Sequence, residues 1–308
     1  MSTRARHSAG DDLDDVAAWV QRLASLLAAG LEPLAAVRAL ETLPPELAAA
    51  AQCDSPFDVP ARIVETTAGS QGMPRLAWML LAAAWSVALE SGAPLAASLD
   101  RTAGTLRSLA DADRQVDLAI AGPIATSRIV ALLPLLGLGL GFLMGADPIG
   151  VIVGTIPGAV AAVAGLALLV AGTRWNRRLV ATARENDPLA GLGPELLALA
   201  MEGGGDPDRA LELAGDAIRR CRIRIDLDDA EATLAFARRA GVSVAALLRT
   251  EAARMRRLAL AGALRRAALL GSRLLGPLAV CFLPSFVLLG VVPLIIGILR
   301  GAIGSFVA

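Results

Sequence analysis

Three stretches of this chain run without a charged side chain: residues 129–146, 149–173 and 274–299, of 18, 25 and 26 residues. A helix crossing the hydrocarbon core of a bilayer needs about 20 such residues, and it satisfies every backbone polar group within itself. The first run is short for that length, but residues 124–127 just before it are also uncharged and extend it. A buried helix in a water-soluble domain is usually apolar along one stripe, so runs of 25 residues or more point to lipid. Composition agrees, with 55% of the 308 residues hydrophobic and a mean hydropathy of +0.59. The polar, acidic residues 1–15 hold no apolar stretch of the signal-peptide kind and are read as an N-terminal tail.

Arginine supplies an orientation. All 29 Lys+Arg residues are Arg; nine lie at or before Arg114, Arg128 edges the first run, 18 fall between Arg174 and Arg273, and Arg300 follows the last run. The hinge at 145–148 carries none. Positive residues stay on the cytoplasmic side, which predicts a multi-pass protein of the cell (cytoplasmic) membrane with its N-terminus inside and its C-terminus outside. The formal net charge of zero conceals a division: residues 1–127 hold nine Arg against 15 Asp+Glu, and residues 174–273 hold 18 against 13. Segments of opposite sign can dock on each other, or the basic one can lie against anionic lipids. The juxtamembrane group Arg254, Arg256, Arg257, Arg265, Arg266 and Arg273 suits ordinary positive-inside charge as well as lipid or partner recognition.

The soluble segments read as helices. Trp19, Leu23, Leu26 and Leu27 recur at three- and four-residue spacing, and Asp residues at 11, 12, 14 and 15 suit a helix start. Gly30 ends that helix and Pro33 fits the first turn of the next. Pro44-Pro45 breaks the second helix, residues 52–60 read as a loop, and further helices are expected over about 75–91 and 94–117. No window alternates as a strand would. The expected fold is all-α and membrane-integral, with two helical cytoplasmic bundles and three transmembrane helices. Its divisions are 1–15, 16–123 (first bundle), 124–173 (transmembrane hairpin), 174–272 (second bundle), 273–299 (third span) and 300–308 (outer tail).

The bundles look like tandem related repeats. The turn Gly30-x-x-Pro33 has an echo at Gly204-x-x-Pro207, 174 residues on. The motif Gly92, Leu95, Leu99 has one at Gly241, Val244, Leu248, offset by 149, and Leu133-Pro134 aligns with Leu283-Pro284 at 150. Alanine-rich helices match one another easily, but three landmarks in one order carry more weight than any single alignment.

Several chemistries lack their residues. A phosphate-binding loop needs a Lys on the phosphates, and the chain has none. His7 is the only His and sits in the polar tail, so neither a His-based nucleophile system nor a His metal site is expected. Cys53, Cys221 and Cys281 lie too far apart in sequence for a Cys-x-x-Cys pair. Carboxylate pairs such as Asp228-Asp229 read as solvated helix faces. None of the apolar runs holds an ionisable group, as a transporter's spans would, although a subunit of a backbone-lined pore stays open as an alternative. The runs do hold small residues in register: Gly137, Gly141 and Gly145 before the hinge, and Gly150, Gly154 and Gly158 after it. This spacing lets helix backbones approach in lipid and predicts a close hairpin of the first two spans, against the plainer reading that Gly is common in membrane helices.

These features together resemble the inner-membrane platform proteins of type II secretion and type IV pilus machines (the type II secretion F-domain family), within it the Tad branch that assembles Flp-class pili. The resemblance runs from about residue 16 onward. It rests on the Gly30-Leu-Glu-Pro33 turn, the Gly92-Ala-Pro-Leu95 motif and the distal string from Pro277 through Cys281, Pro284 and Pro293. It implies a non-catalytic scaffold without cofactor, coupling a secretion or pilus ATPase to the movement of pilin-like subunits. Further implied partners are a second platform protein or copies of itself, with anionic lipids but no nucleic acid. Tad platforms come as two proteins, so a chain with both kinds of half resembles a fused or contracted platform.

Overall fold

The structure, a computed structural model, describes residues 9–134, 148–184, 187–240 and 242–297 together with positions 136, 137, 139 and 299. Every regular element among them is helical: α1 (Ala9–Ala28), α2 (Pro33–Arg38), α3 (Pro45–Ala50), α4 (Val59–Thr66), α5 (Gly72–Ser91) and α6 (Leu95–Ala131). These are followed by α7 (Pro148–Gly154), α8 (Ile156–Arg184), α9 (Leu192–Met201), α10 (Pro207–Arg220), α11 (Asp228–Ala240), α12 (Val244–Pro277) and α13 (Leu283–Phe286).

Local chemistry explains most boundaries. Pro33, Pro45 and Pro207 each stand in the first turn of a helix, where the missing N–H costs nothing. Pro45 therefore starts α3 as well as ending what precedes it. Asp206 caps α10 by accepting the N–H of Asp208 at 3.2 Å. α5 ends on Gly92 at φ +78, a left-handed residue that only Gly adopts freely. The segment read as a loop over 52–60 gives way to α4 at Val59, because Pro60 initiates a helix there and Ile63 is fully buried.

The chain divides into two compact units. The first comprises residues 1–115 and 186–261, the second 116–185 and 262–308. In place of two separate bundles, the two segments flanking the apolar α7–α8 stretch close on one core, which runs from Leu13 to Ala110 and from Leu192 to Leu248. The reason lies in α5. Its residues from Ala77 to Ala88 are buried on every face, so its own segment cannot cover it alone. α1 and α4 pack on it from the first segment, α9 and α10 from the second. Trp85 is fully buried and its indole N–H is satisfied by the carbonyl of Pro56 at 3.0 Å. The opposite charges of the segments meet at the edge of this core, where Arg220 pairs with Glu90 at 2.7 Å.

Among the described residues, three helices are long and apolar enough to cross a membrane: Gly72–Ser91, Ile156–Arg184 and Val244–Gly297. Burial separates them. The apolar window of the first is 67% buried, against 22% and 33% for the other two. α5 is thus the core helix of the first unit, while the second and third carry exposed apolar surface. Of the 24 large hydrophobic side chains exposed among the described residues, 19 belong to the second unit. An apolar skin of that kind is what a lipid-facing surface looks like.

The second unit departs from the sequence reading in two places. The uncharged run 149–173 is not one helix, because it breaks at Thr155 between α7 and α8. The Thr155 hydroxyl accepts the N–H of Gly158 at 3.0 Å and donates to the carbonyl of Val151 at 2.7 Å, a cap reinforced by Pro157 in the first turn of α8. The distal helix also changes pitch. It widens into π-turns at Leu278–Phe282 and Val287–Val291. Val280 and Leu289, at their centres, each lie four residues before a proline (Pro284 and Pro293) whose missing N–H would have closed an α-turn on that carbonyl. In the first uncharged run, α6 ends at Ala131, and residues 135, 138 and 140–146 lie outside the described residues.

Candidate functional site: a helix interface in the apolar unit

The second unit is held together where glycine lets helices touch. A Cβ on Gly172 would stand 2.8 Å from Cβ of Cys281, and one on Gly165 would stand 2.7 Å from Leu289 Cγ. Gly165 and Gly172 are seven residues apart, two turns along the face of α8 that meets the π-turned helix. On the same face the carbonyl of Gly165 accepts the hydroxyl of the fully buried Ser285 at 2.8 Å. Gly137 meets that helix too, since a Cβ there would lie 2.8 Å from the Phe286 ring and 3.4 Å from Gly290 Cα.

Of the glycines expected to zip the first two spans, Gly137 faces the distal helix. Gly158 backs onto its own chain, where a Cβ would be 2.4 Å from the Val151 carbonyl at the α7–α8 break. Gly154 is exposed, Gly150 half-exposed, and Gly141 and Gly145 lie outside the described residues. Gly165 and Gly172 were legible as a small-residue pair at heptad spacing, but nothing in sequence names the helix they meet.

The turn residues stand at helix junctions in the first unit. Gly30 (φ +95), Gly92 (φ +78) and Gly204 (φ +76) all adopt the left-handed conformation. Pro33 and Pro207 open the next helices, Leu95 begins α6, and Leu99 is fully buried. Gly241 lies outside the described residues. Next to Gly204, Gly203 is pressed against the end of α5: a Cβ there would be 1.9 Å from the carbonyl oxygen of Ser91.

The juxtamembrane arginines sort by what they touch. Arg254 is engaged by Glu251 one turn before it, and Arg256 pairs with Glu195 of α9 at 3.1 Å. Their neighbour Arg257 lines a cleft of about 350 Å3 together with Gly104, Ser108 and Ala112 of α6 and with Asp187 and Ala253. Arg265 and Arg273 are exposed, and Arg266 is half-buried. Sequence reading missed the half-buried pairing of Glu202 with both Arg101 and Arg249. Glu195 and Glu202, seven apart, pair in reverse order with Arg256 and Arg249, also seven apart. No local pattern ties residues about 50 to 100 positions away in the chain, so the missed contacts had no signal.

Among the described residues no group of His, Cys, Asp or Glu is placed to hold a metal ion. Cys53, Cys221 and Cys281 are free and buried, and burial pushes the Cys221 thiol up to about 12. Asp226 is held below its ordinary range mainly by the backbone N–H of Asp228, and the Asp228 carboxyl is raised chiefly by its hydrogen bond to Asp226. The pair is solvent-exposed at the start of α11, where Asp226 receives the Asp228 N–H at 3.0 Å as a helix cap does. No family model, curated protein or solved structure matches this chain.

Proposed function

We propose that this protein is a membrane-embedded scaffold, the platform of a secretion or Tad-type pilus assembly machine, on which a separate cytoplasmic ATPase and pilin-like subunits converge. The observation that carries the reading is the joint core of the first unit. Chain from both sides of the apolar α7–α8 segment closes into one helical body with no nucleotide-binding loop, a form suited to receiving a partner. Positive-φ Gly-x-x-Pro turns at Gly30–Pro33 and Gly204–Pro207 support two related halves, each leading into a long helix, α6 or α12. The topology proposed is N-terminus in and C-terminus out, with spans near 124–146, 156–173 and 274–299. A reporter active only outside the membrane gives signal at Asp147 and after Ala308, and none at Gly205.

The test of function uses the full chain in detergent, because the two soluble segments share one core. It is expected to lack ATPase activity and to capture a hexameric secretion ATPase of the same organism. Binding should weaken as salt rises, since exposed charges are screened beyond about 8–10 Å at physiological ionic strength. No capture, together with ion or solute flux through liposomes carrying the chain, would establish a transport or pore subunit instead.

A further inference from the structure

Two contacts in the second unit align three helices at one level. The Asn176 amide of α8 donates to the hydroxyl of Ser127 of α6 at 2.8 Å. A Cβ on Gly276 of α12 would lie 3.8 Å from the ring of Trp175, the residue beside Asn176. Helices rise about 1.5 Å per residue, so Arg128, Arg174, Arg177 and Arg178 stand within about 3 Å along the axis of these contacts, and Arg273 within about 5 Å. All five arginines are exposed, and among the described residues none has a carboxylate partner, whereas Arg184, a turn and a half beyond Arg178, pairs with Asp117. Most of the exposed apolar side chains of the second unit lie at or beyond this level, among them Ile129, Val170, Trp175 and Leu275 at 44% to 66% exposure, while Leu118 and Leu269 precede it.

We infer that this level is a binding collar for the phosphate headgroups of anionic phospholipids, with Arg128, Arg174, Arg177, Arg178 and Arg273 as the anion ligands and Trp175 at the glycerol depth. Five exposed guanidinium groups with no carboxylate partner among the described residues, beside an apolar surface, match a lipid whose charged head sits on its own hydrocarbon. Trp prefers that boundary. The Ser127–Asn176 hydrogen bond and the Trp175–Gly276 contact fix the level, so the charges form a ring rather than a scatter. This collar shares only Arg273 with the basic group legible in sequence, in which Arg254 and Arg256 are already engaged by Glu251 and Glu195. The inference rests on the second unit lying in a bilayer.

The full chain, purified in detergent, is given equal amounts of phosphatidylglycerol and phosphatidylcholine with the same acyl chains, and retained lipid is counted by native mass spectrometry. Wild type is expected to favour phosphatidylglycerol by at least about tenfold. R128Q/R174Q/R273Q loses most of that preference, and R62Q/R209Q/R219Q, with the same change in charge, keeps it. Equal retention of both lipids by wild type, or an equal loss in the two triple variants, would overturn the collar. Millimolar inorganic phosphate leaves the retained lipid in place; displacement would assign the site to a free anion. If the collar variant fails to fold, quenching of Trp175 by brominated phosphatidylglycerol but not by brominated phosphatidylcholine, read against W175F, carries the test alone. Alkaline extraction is the separate check on the bilayer reading: wild-type chain released from membranes would sink that reading, whatever the lipid preference.

Discussion

The hydroxyl of Ser285 donates to the backbone carbonyl of Gly165 at 2.8 Å, across two helices and out of contact with solvent. A serine could satisfy itself on its own helix, so a bond to the neighbouring backbone fixes register between the two. Removing it with Ser285→Ala is expected to lower thermal stability in detergent by about 0.5–1.5 kcal/mol. Full retention of stability would mean that packing alone sets the register.

Packing on the same face is less forgiving. Gly172→Ala places a Cβ 2.8 Å from Cβ of Cys281, an atom fixed to its backbone, and should cost about 1–3 kcal/mol. Gly139→Ala meets nothing within 4 Å and is expected to be neutral or slightly stabilising through helix propensity. Thermal melts of the two variants side by side decide the matter. Equal stability would mean that the α8 interface has room to spare.

In the first unit, Gly203→Ala drives a methyl to within 1.9 Å of the Ser91 carbonyl and must push α9 away from α5. A loss of order 1–3 kcal/mol is expected, with earlier proteolysis in both segments of the first unit together. Gly205→Ala, with nothing within 4 Å, is the control. Cleavage confined to the second segment would mean that the segments unfold separately and that the shared core is not cooperative.

Cys221 reports on the same core through its chemistry. Burial raises its thiol to about 12, so at pH 8 almost none is thiolate in the folded chain. A raised folded pKa adds stability that is complete below the ordinary thiol range, near 9, and is lost as pH climbs towards 12. Alkylation at pH 8 should therefore leave Cys221 unmodified for hours and go to completion after denaturation. Rapid labelling of the native protein would show that the α10 end of the core opens.

Some of this protein is fixed by local sequence. The uncharged runs required helices that satisfy their own backbone, and the stops at Gly30, Gly92 and Gly204 follow from the ease with which Gly enters the left-handed region. The helix starts at Pro33 and Pro207 follow from the one place where a helix tolerates proline. Thr155 and Pro157 also carried their signal locally, as a cap and a first-turn proline inside an apolar run, although run length alone hid the break.

Arg75 and Glu90 leave α5 too short an uncharged run to span a bilayer, which placed it among the soluble helices, but nothing in the sequence says what covers a helix that is apolar on every face. Tertiary structure decided that by bringing α1, α4, α9 and α10 around it. The same step merged two bundles into one core, turned Gly137, Gly165 and Gly172 towards the distal helix, and divided the arginines into those held by the distant Glu195 and Glu202 and those left facing outward. Each of these outcomes depends on residues far apart in sequence meeting in space. Periodicity and capping act over a few residues and hold no information about such meetings.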